Sequence, residues 1–396
     1  MYFIGQTRFS LYLPKSNAWN VSNFTEEEYI AHLFSDERMS VRAKIFAELS
    51  VPLMAKMKQD FDFKHIVSYS SILPEKWKNM LFELSQKYPF LHLCEVDTHQ
   101  GNPIRAVLNG KPNGSVAFFR LDDDDLLAVN YLEQLAAYNK IDYKNMAVSF
   151  GKGFTGYYKD GHFIDFRDCK QRFIAIGQAY IGFWGDGSLE LPTMHSHHNL
   201  DENYPVIVDS RKPSYIHTHH DQQDTNYRFS NDSHNKNNTI ETDLMRFTKT
   251  KMPEVISELF PVLSDDVQGF IDNRKMIFKT VDVALKNKTT TLEINYNPVE
   301  KVFECAYEIQ TDNSITSSKA LVLSIFFDQV ADGVQGLNQS TNPEIGWYKY
   351  LSASNGIAKG SFSFSVSSPL RLKSAKTILW DNRITTAEIK KLEIFS

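Results

Sequence analysis

Four consecutive carboxylates, Asp122 to Asp125, follow directly on the apolar run Val116-Ala117-Phe118-Phe119-Arg120-Leu121. Side by side, such groups repel one another and hold their hydration strongly. Where a buried strand leaves a sheet they need a counter-charge, and a hard divalent cation is the usual one. The carboxyl ends of strands in an open α/β sheet are also where ligands bind. A solvated acidic turn is the plain alternative, but the strand-like run before the acids points to a central strand.

A second constellation lies downstream. Met194-His195-Ser196-His197-His198 is followed by Asp201-Glu202, and Tyr215-Ile216-His217-Thr218-His219-His220 by Asp221, so six of the twelve histidines fall within 26 residues. Such clustering suits a metal or acid/base site. The helical zinc signature His-Glu-x-x-His is absent. In a strand, alternation puts His217 and His219 on one face and His220 on the other.

The elements that must position these groups alternate in kind. Residues 9–13, 65–69, 90–94, 116–121 and 146–150 read as strands, and 173–176 and 179–184 as further apolar strands. Between them come helical patterns. Thr25 to Glu28 forms a capping box. Val41, Ile45, Phe46 and Leu49 share a helix face that Pro52 breaks or kinks. Trp77 to Leu84 is a third helix, and residues 126–138 a fourth, with Leu127, Tyr131, Leu135 and Tyr138 on one side. This alternation predicts an α/β fold, a Rossmann-like, mainly parallel sheet with helices on both faces. Gly151 to Gly156 lacks the Gly-Lys-Ser/Thr ending of a phosphate loop, and Asp160-Gly161 predicts a hairpin instead. Residues 228–239, low in apolar side chains, read as a loop.

From about Lys286 the pattern turns to alternating strands with turn signals at Asn297-Pro298, Asp332-Gly333 and Asn355-Gly356, which predicts an all-β sandwich. The expected division is a catalytic domain over 1–240, a helical connector over 241–286 and an accessory β-sandwich domain over 287–396. Trp347, Tyr348, Tyr350 and Trp380 in the last fit either glycan contact or core packing.

The 396 residues, 42% hydrophobic and 23% charged, describe an ordinary globular chain. A net charge of −5 supplies no basic field for nucleic acid. Cys94, Cys169 and Cys305 form no metal or redox spacing, and three unpatterned cysteines predict free thiols in a reducing compartment. No basic segment leads into a long apolar core, and no stretch nears the roughly 20 apolar residues of a bilayer span. A cytoplasmic location is expected, with at most peripheral association with a membrane.

The strand followed by Leu121-Asp-Asp-Asp-Asp-Leu126 resembles the metal-binding Asp-x-Asp signature of GT-A glycosyltransferases, with Asp122 and Asp124 as its two acids and Asp125 the extra carboxylate. More narrowly, Arg120-Leu-Asp-Asp-Asp-Asp125, Arg42-x-x-Ile45-Phe46 with Pro52-Leu53, and His220 with Gln222-Gln223 resemble the bacterial family labelled putative rhamnosyltransferases. That resemblance spans roughly residues 7 to 228. It implies a GT-A-like fold and transfer of a sugar from a nucleotide-diphosphate donor to a glycan or lipid-linked glycan acceptor, such as capsule or lipopolysaccharide O-antigen. It implies Mn²⁺ or Mg²⁺ held by Asp124, Asp122 and His220, with His219 the near alternative ligand. Asp122, Asp125, Arg120 and Arg42 then bind the donor, a guanidinium pairing well with phosphate. The acceptor base is expected at Asp201 or His198, with Glu202, His195 and His197 competing. Two alternatives stand beside this reading: a metal-dependent phosphoesterase, and a Ca²⁺-stabilised carbohydrate-binding protein.

Overall fold

The structure is a computed structural model. It describes every residue except 14–24, 59, 97–101, 194–196, 224–239, 245, 251, 274, 297 and 313, and omits the side chains of 198, 241 and 242. Contacts divide the chain into two units, Met1–Phe270 and Ile271–Ser396.

The first unit runs β1 (Tyr2–Arg8), α1 (Glu26–Leu33), α2 (Asp36–Lys44), a π-helical turn (Ile45–Ser50), α3 (Val51–Met57), β2 (Phe63–Ser70), α4 (Glu75–Lys87), β3 (Leu91–Val96), α5 (Pro103–Leu108) and β4 (Gly114–Arg120). It continues with β5 (Leu126–Leu127), α6 (Tyr131–Ala136), β6 (Ala147–Phe150), β7 (Lys152–Lys159), β8 (His162–Lys170), β9 (Ala179–Gly185), β10 (Ser188–Glu190), α7 (Leu200–Asn203), β11 (Val206–Asp209) and β12 (Tyr215–His219). α8 (Ile240–Leu244), β13 (Thr248–Lys249), α9 (Pro253–Leu259) and α10 (Ser264–Asp272) complete it, the last helix crossing the boundary.

The main sheet has the order β11-β6-β9-β4-β1-β2-β3, with β10 on β9. β4, β1, β2 and β3 are mutually parallel, and β9 runs antiparallel between β4 and β6. Val116 to Phe119 are all fully buried, as a strand covered on both faces requires. Ala117 and Phe119 meet residues of α2, α3, α4 and α6, whereas Val116 and Phe118 meet α5 and α7. Helices on both faces are therefore as expected.

Residues 9–13, expected as the first strand, are not a strand; the first strand lies just before them, at Tyr2–Arg8. Its middle carries Gly5 and Gln6, which interrupt the apolar run. The glycine is required: a Cβ there would lie 2.2 Å from His65 Nδ1 and 2.8 Å from the Phe119 ring. Residues 173–176, expected as a strand, form turns, and the short strand β11 was not anticipated.

A second sheet, β13-β8-β7-β12-β5, carries the histidines. Its β7–β8 hairpin turns at Asp160-Gly161, with φ of 51° and 92°, as that dipeptide predicts. Ile256 and Leu259 of α9, Val267 and Phe270 of α10, and Phe260 between the two helices pack in one core with Phe154, Phe163 and Ile216 of this sheet. The expected connector over 241–286 is thus shared: its helices bury their apolar faces in the first unit, and its last residues pair as strands in the second.

The second unit holds β14 (Met276–Thr280), β15 (Val283–Leu285), β16 (Thr289–Glu293), β17 (Glu300–Thr311), β18 (Ser317–Phe327), β19 (Val334–Gln335), β20 (Asn338–Gln339), β21 (Trp347–Ala353), β22 (Ile357–Leu370), β23 (Leu372–Leu379) and β24 (Ala387–Phe395). They form two antiparallel sheets, β14-β24-β17-β22-β19 and β16-β23-β18-β21-β20, around one core that includes Phe303, Leu321, Leu323 and Ile394. This is the sandwich the alternation predicted. Among the described residues, no helix is long and apolar enough to cross a membrane.

Candidate active site

Backbone pairing unites the acids with the histidines. β4 ends at Arg120, and the Leu121 amide donates to the Gln6 carbonyl at 3.0 Å, holding the chain beside β1. After the acids, Leu126 and Leu127 do not open a helix. They pair antiparallel with Ile216 and Tyr215, forming β5 against β12. Two buried leucines carry no period of their own, and the strand partner decides the outcome. The helix expected over 126–138 is accordingly confined to α6. Antiparallel pairing reads backwards, so Asp125 falls opposite the histidine strand and its Oδ1 accepts the Thr218 amide at 3.0 Å. Just beyond the strand, His220 Nε2 lies 3.1 Å from Asp124 Oδ2.

The third contribution comes from the helix after β1. Pro52 has no amide hydrogen to donate back along the helix, and the chain passes through the π-helical turn between α2 and α3 rather than breaking. Arg42, in the last turn of α2, is only 6% exposed. Its Nη1 donates to Asp123 Oδ1, and its Nη2 lies 3.0 Å from Asp124 Oδ2. Asp123 Oδ2 accepts from the Ser10 amide at 2.9 Å and the Ser10 hydroxyl at 3.1 Å. Ser10 adopts a φ of 40°, unusual for a residue with a side chain, and the two bonds to Asp123 hold it there. Buried Arg38 donates to Ser10 Oγ at 2.9 Å and to the Leu33 carbonyl at 3.0 Å.

These contacts split four like groups into different states. Burial pushes the Asp124 carboxyl up, but Arg42 and then His220 overcome it and hold it below the usual carboxylate range. Burial, reinforced by Asp124 and Asp122, raises Asp125 well above that range. Asp122 reaches solvent although protein groups crowd its carboxyl. Desolvation and Asp124 raise it against the pull of Arg120 and Arg8. Arg8, at the end of β1, is itself lowered by burial and by Arg120. Environments that drive neighbouring carboxyls apart are typical of reactive sites.

Not every expected residue joins this cluster. His219 packs against His217 with ring centroids 4.6 Å apart. Burial lowers both imidazoles, His219 to about 3, and neither His219 Nε2 nor His217 Nδ1 finds a hydrogen-bond partner among the described residues. Asp201 is exposed on α7, and no hydrogen bond or ion pair joins it to the acids. His195, the His198 side chain and the loop 228–239 lie outside the described residues. Arg8, Ser10 and Arg38 were not singled out from the sequence. Arg38 and Arg42, four residues apart on one helix face, were the available signal.

The counter-charge in place is thus a guanidinium. Among the described residues, no group of three or more acidic, histidine or cysteine side chains is arranged to hold a metal ion. Two donors do converge. The 3.1 Å between Asp124 Oδ2 and His220 Nε2 matches the roughly 3 Å between adjacent ligands of an octahedral ion with bonds of about 2.1 Å. Ions of that kind complete their shell with water and substrate phosphate. Asp124 and His220 are of the donor types such an ion takes, and they are two donors that water and a phosphorylated ligand would have to supplement.

A family model described as putative rhamnosyl transferase matches residues 2–232, more than half of the chain. The chain belongs to this family. It is accordingly a member of a glycosyltransferase family, and the match covers β1, α2, the acidic run and β12 together. No curated protein matches the sequence. Among solved structures, S. aureus TarS 1-349 aligns at 12% identity over 68% of this chain and 83% of that one, with a TM-score of 0.29. A structure described as BiXyn10A CBM1 APO aligns at 12% identity over 31% of this chain and 99% of that one, with a TM-score of 0.17. Scores so low carry no inference about fold or activity.

Proposed function

We propose that this chain is a GT-A-like enzyme that transfers a sugar from a nucleotide-diphosphate donor to a glycan or lipid-linked glycan of a bacterial surface polysaccharide. The observation that carries the reading is the convergence of Asp124, His220 and Arg42 at the carboxyl end of β4, where an α/β sheet binds its ligands. The parallel strands β4, β1, β2 and β3, with helices on both faces of their sheet, support the GT-A-like reading.

In this reading Asp124 and His220 hold the divalent ion, Mn²⁺ suiting an oxygen-rich site with one imidazole better than Mg²⁺. Bound there, the ion supplies Lewis-acid stabilisation of the departing nucleotide diphosphate. Asp123, fixed by Ser10, keeps the Arg42 fork aimed at the same place, so Arg42 presents fixed positive charge to the diphosphate. Arg8 and Arg120 flank Asp122, the one exposed acid of the run, which faces the donor and accepts hydrogen bonds from its hydroxyls. Asp125 anchors the turn to β12 through Thr218. The acceptor base is assigned to Asp201 on chain position alone.

The test is the thermal midpoint of the purified protein with uridine, guanosine and deoxythymidine diphosphates, with and without Mn²⁺. A ligand bound only by the native state at 100 times its Kd stabilises by about 2.7 kcal/mol. Stabilisation by one nucleotide, dependent on Mn²⁺ and lost in Asp124→Asn, is the expected result. Unchanged nucleotide affinity in that variant refutes the role of Asp124.

A further inference from the structure

The second unit presents an aromatic surface unrelated to the acidic site. Along β18, Leu321, Leu323 and Ile325 enter the sandwich core, so Val322 and Ser324 belong to the outer face. Both are nevertheless fully buried. They are covered from the outside, because Val322 pairs with Tyr350 and Ser324 with Tyr348 across the β18–β21 ladder. The tyrosine rings stand edge to face at 5.2 Å, and Tyr350 meets Trp380 in the same way at 5.6 Å. Trp380 remains 40% exposed, and Lys319 Nζ sits 4.6 Å from the centre of the Tyr350 ring.

Beside this layer an open groove of about 580 Å³ is lined by Thr316, Ser317, Ser318, Ser352 and Ser354 together with Ala353, Ile357 and Lys359. Ser352 follows Tyr348 and Tyr350 at strand alternation and so shares their face. Planar rings next to closely spaced hydroxyls and an ammonium match one ligand chemistry. A pyranose offers an apolar C–H face to a ring and a rim of hydroxyls to polar neighbours. A protein partner calls for a broader apolar patch, and the acidic net charge of the chain disfavours a polynucleotide.

We propose that the outer face of β18, β21 and the end of β23 is a glycan-binding site, in which Trp380 and Tyr350 stack on sugar rings and the adjoining groove receives the next residue of the chain. This site is built from residues of the second unit alone and does not depend on the transferase reading.

The test is native electrophoresis of the full chain through gels containing dextran, yeast mannan, arabinogalactan or alginate. Retardation by at least one of them is expected. Trp380→Ala and Tyr350→Ala should each weaken it by about tenfold, the scale of one aromatic contact. Trp380→Tyr, which keeps a ring, should retain most of it, which separates ring chemistry from misfolding. Relative to its own mobility in a polymer-free gel, Asp124→Asn should be retarded as much as the unmodified protein, so a failed donor site leaves this result intact. Retardation by none of the four polymers overturns the proposal. So does retardation that survives both alanine substitutions, or a Trp380→Ala effect confined to the oligomeric state seen by light scattering.

Discussion

Replacing Arg42 by methionine keeps most of the side-chain volume and removes the charge. Arg42 and its partners Asp123 and Asp124 have side chains at most a tenth exposed, so solvent cannot take over the lost role. Breaking a buried pair from one side leaves uncompensated charge and costs about 3–5 kcal/mol. Two carboxylates lose their cation at once here, Asp123 keeping its bonds from Ser10 and Asp124 its contact with His220, so the loss is expected within that range. For a unit of this size, each kcal/mol lowers the midpoint by about 2–4 °C, so a fall of at least 6 °C is expected. Urea unfolding at neutral pH reads the loss directly, and of two transitions only that of the first unit should move. Lys76→Met, which breaks the exposed pair with Asp36, is the control and should cost under about 1 kcal/mol. Adding Asp123→Asn to Arg42→Met should recover part of the loss, because the orphaned charge goes with it. An Arg42→Met loss below about 1 kcal/mol refutes the claim that this guanidinium is the counter-charge of the acidic run.

Gly5→Ala places a methyl group against His65 and Phe119 and should destabilise by about 1–3 kcal/mol in urea, with His65→Ala in the same chain relieving most of it. Burial lowers the His65 imidazole to about 3, so between that value and its ordinary pKa the unfolded chain binds a proton that the folded chain refuses. The stability it contributes is therefore complete above about pH 6.5 and lost progressively as the pH falls toward 3; His65→Gln should flatten the stability profile in that window, and an unchanged slope contradicts the assignment. Asp201→Asn should lower kcat by about 10²–10⁴-fold with little change in donor KM if Asp201 is the base, and an unaffected kcat removes it from the mechanism.

What could be read in the sequence was what is local in the chain. The run from Val116 to Asp125 shows a buried strand and its acidic end within ten residues, and both are found there. The β7–β8 hairpin follows from the left-handed pair at Asp160-Gly161. Arg42 and His220 were picked out by resemblance to a family, and both lie against Asp124. Strand β5 was not legible, because two leucines acquire a strand conformation only from pairing with β12. Arg8 and Ser10 were missed because Gly5 disguises β1, and the glycine is explained only by His65 and Phe119, at least sixty residues away. The helices of the presumed connector were visible as helices, but not the second sheet they cover.

Four identical neighbours suggest a single function, a cage of charge around one ion. Their contacts argue otherwise. Successive residues of a turn point in different directions, so each carboxylate meets a different partner. Asp123 faces inward and spends both oxygens on Ser10 and Arg42. Asp125 faces β12 and is occupied by a backbone amide, its charge opposed by burial. Asp124 alone stands between a guanidinium and an imidazole, and Asp122 alone opens to solvent. Asp123 therefore positions Arg42, Asp125 positions β12 and with it His220, and these two structural acids set the surroundings of Asp124. On that division, Asp123→Asn and Asp125→Asn act on ligand binding through Arg42 and His220, whereas Asp124→Asn acts on it directly.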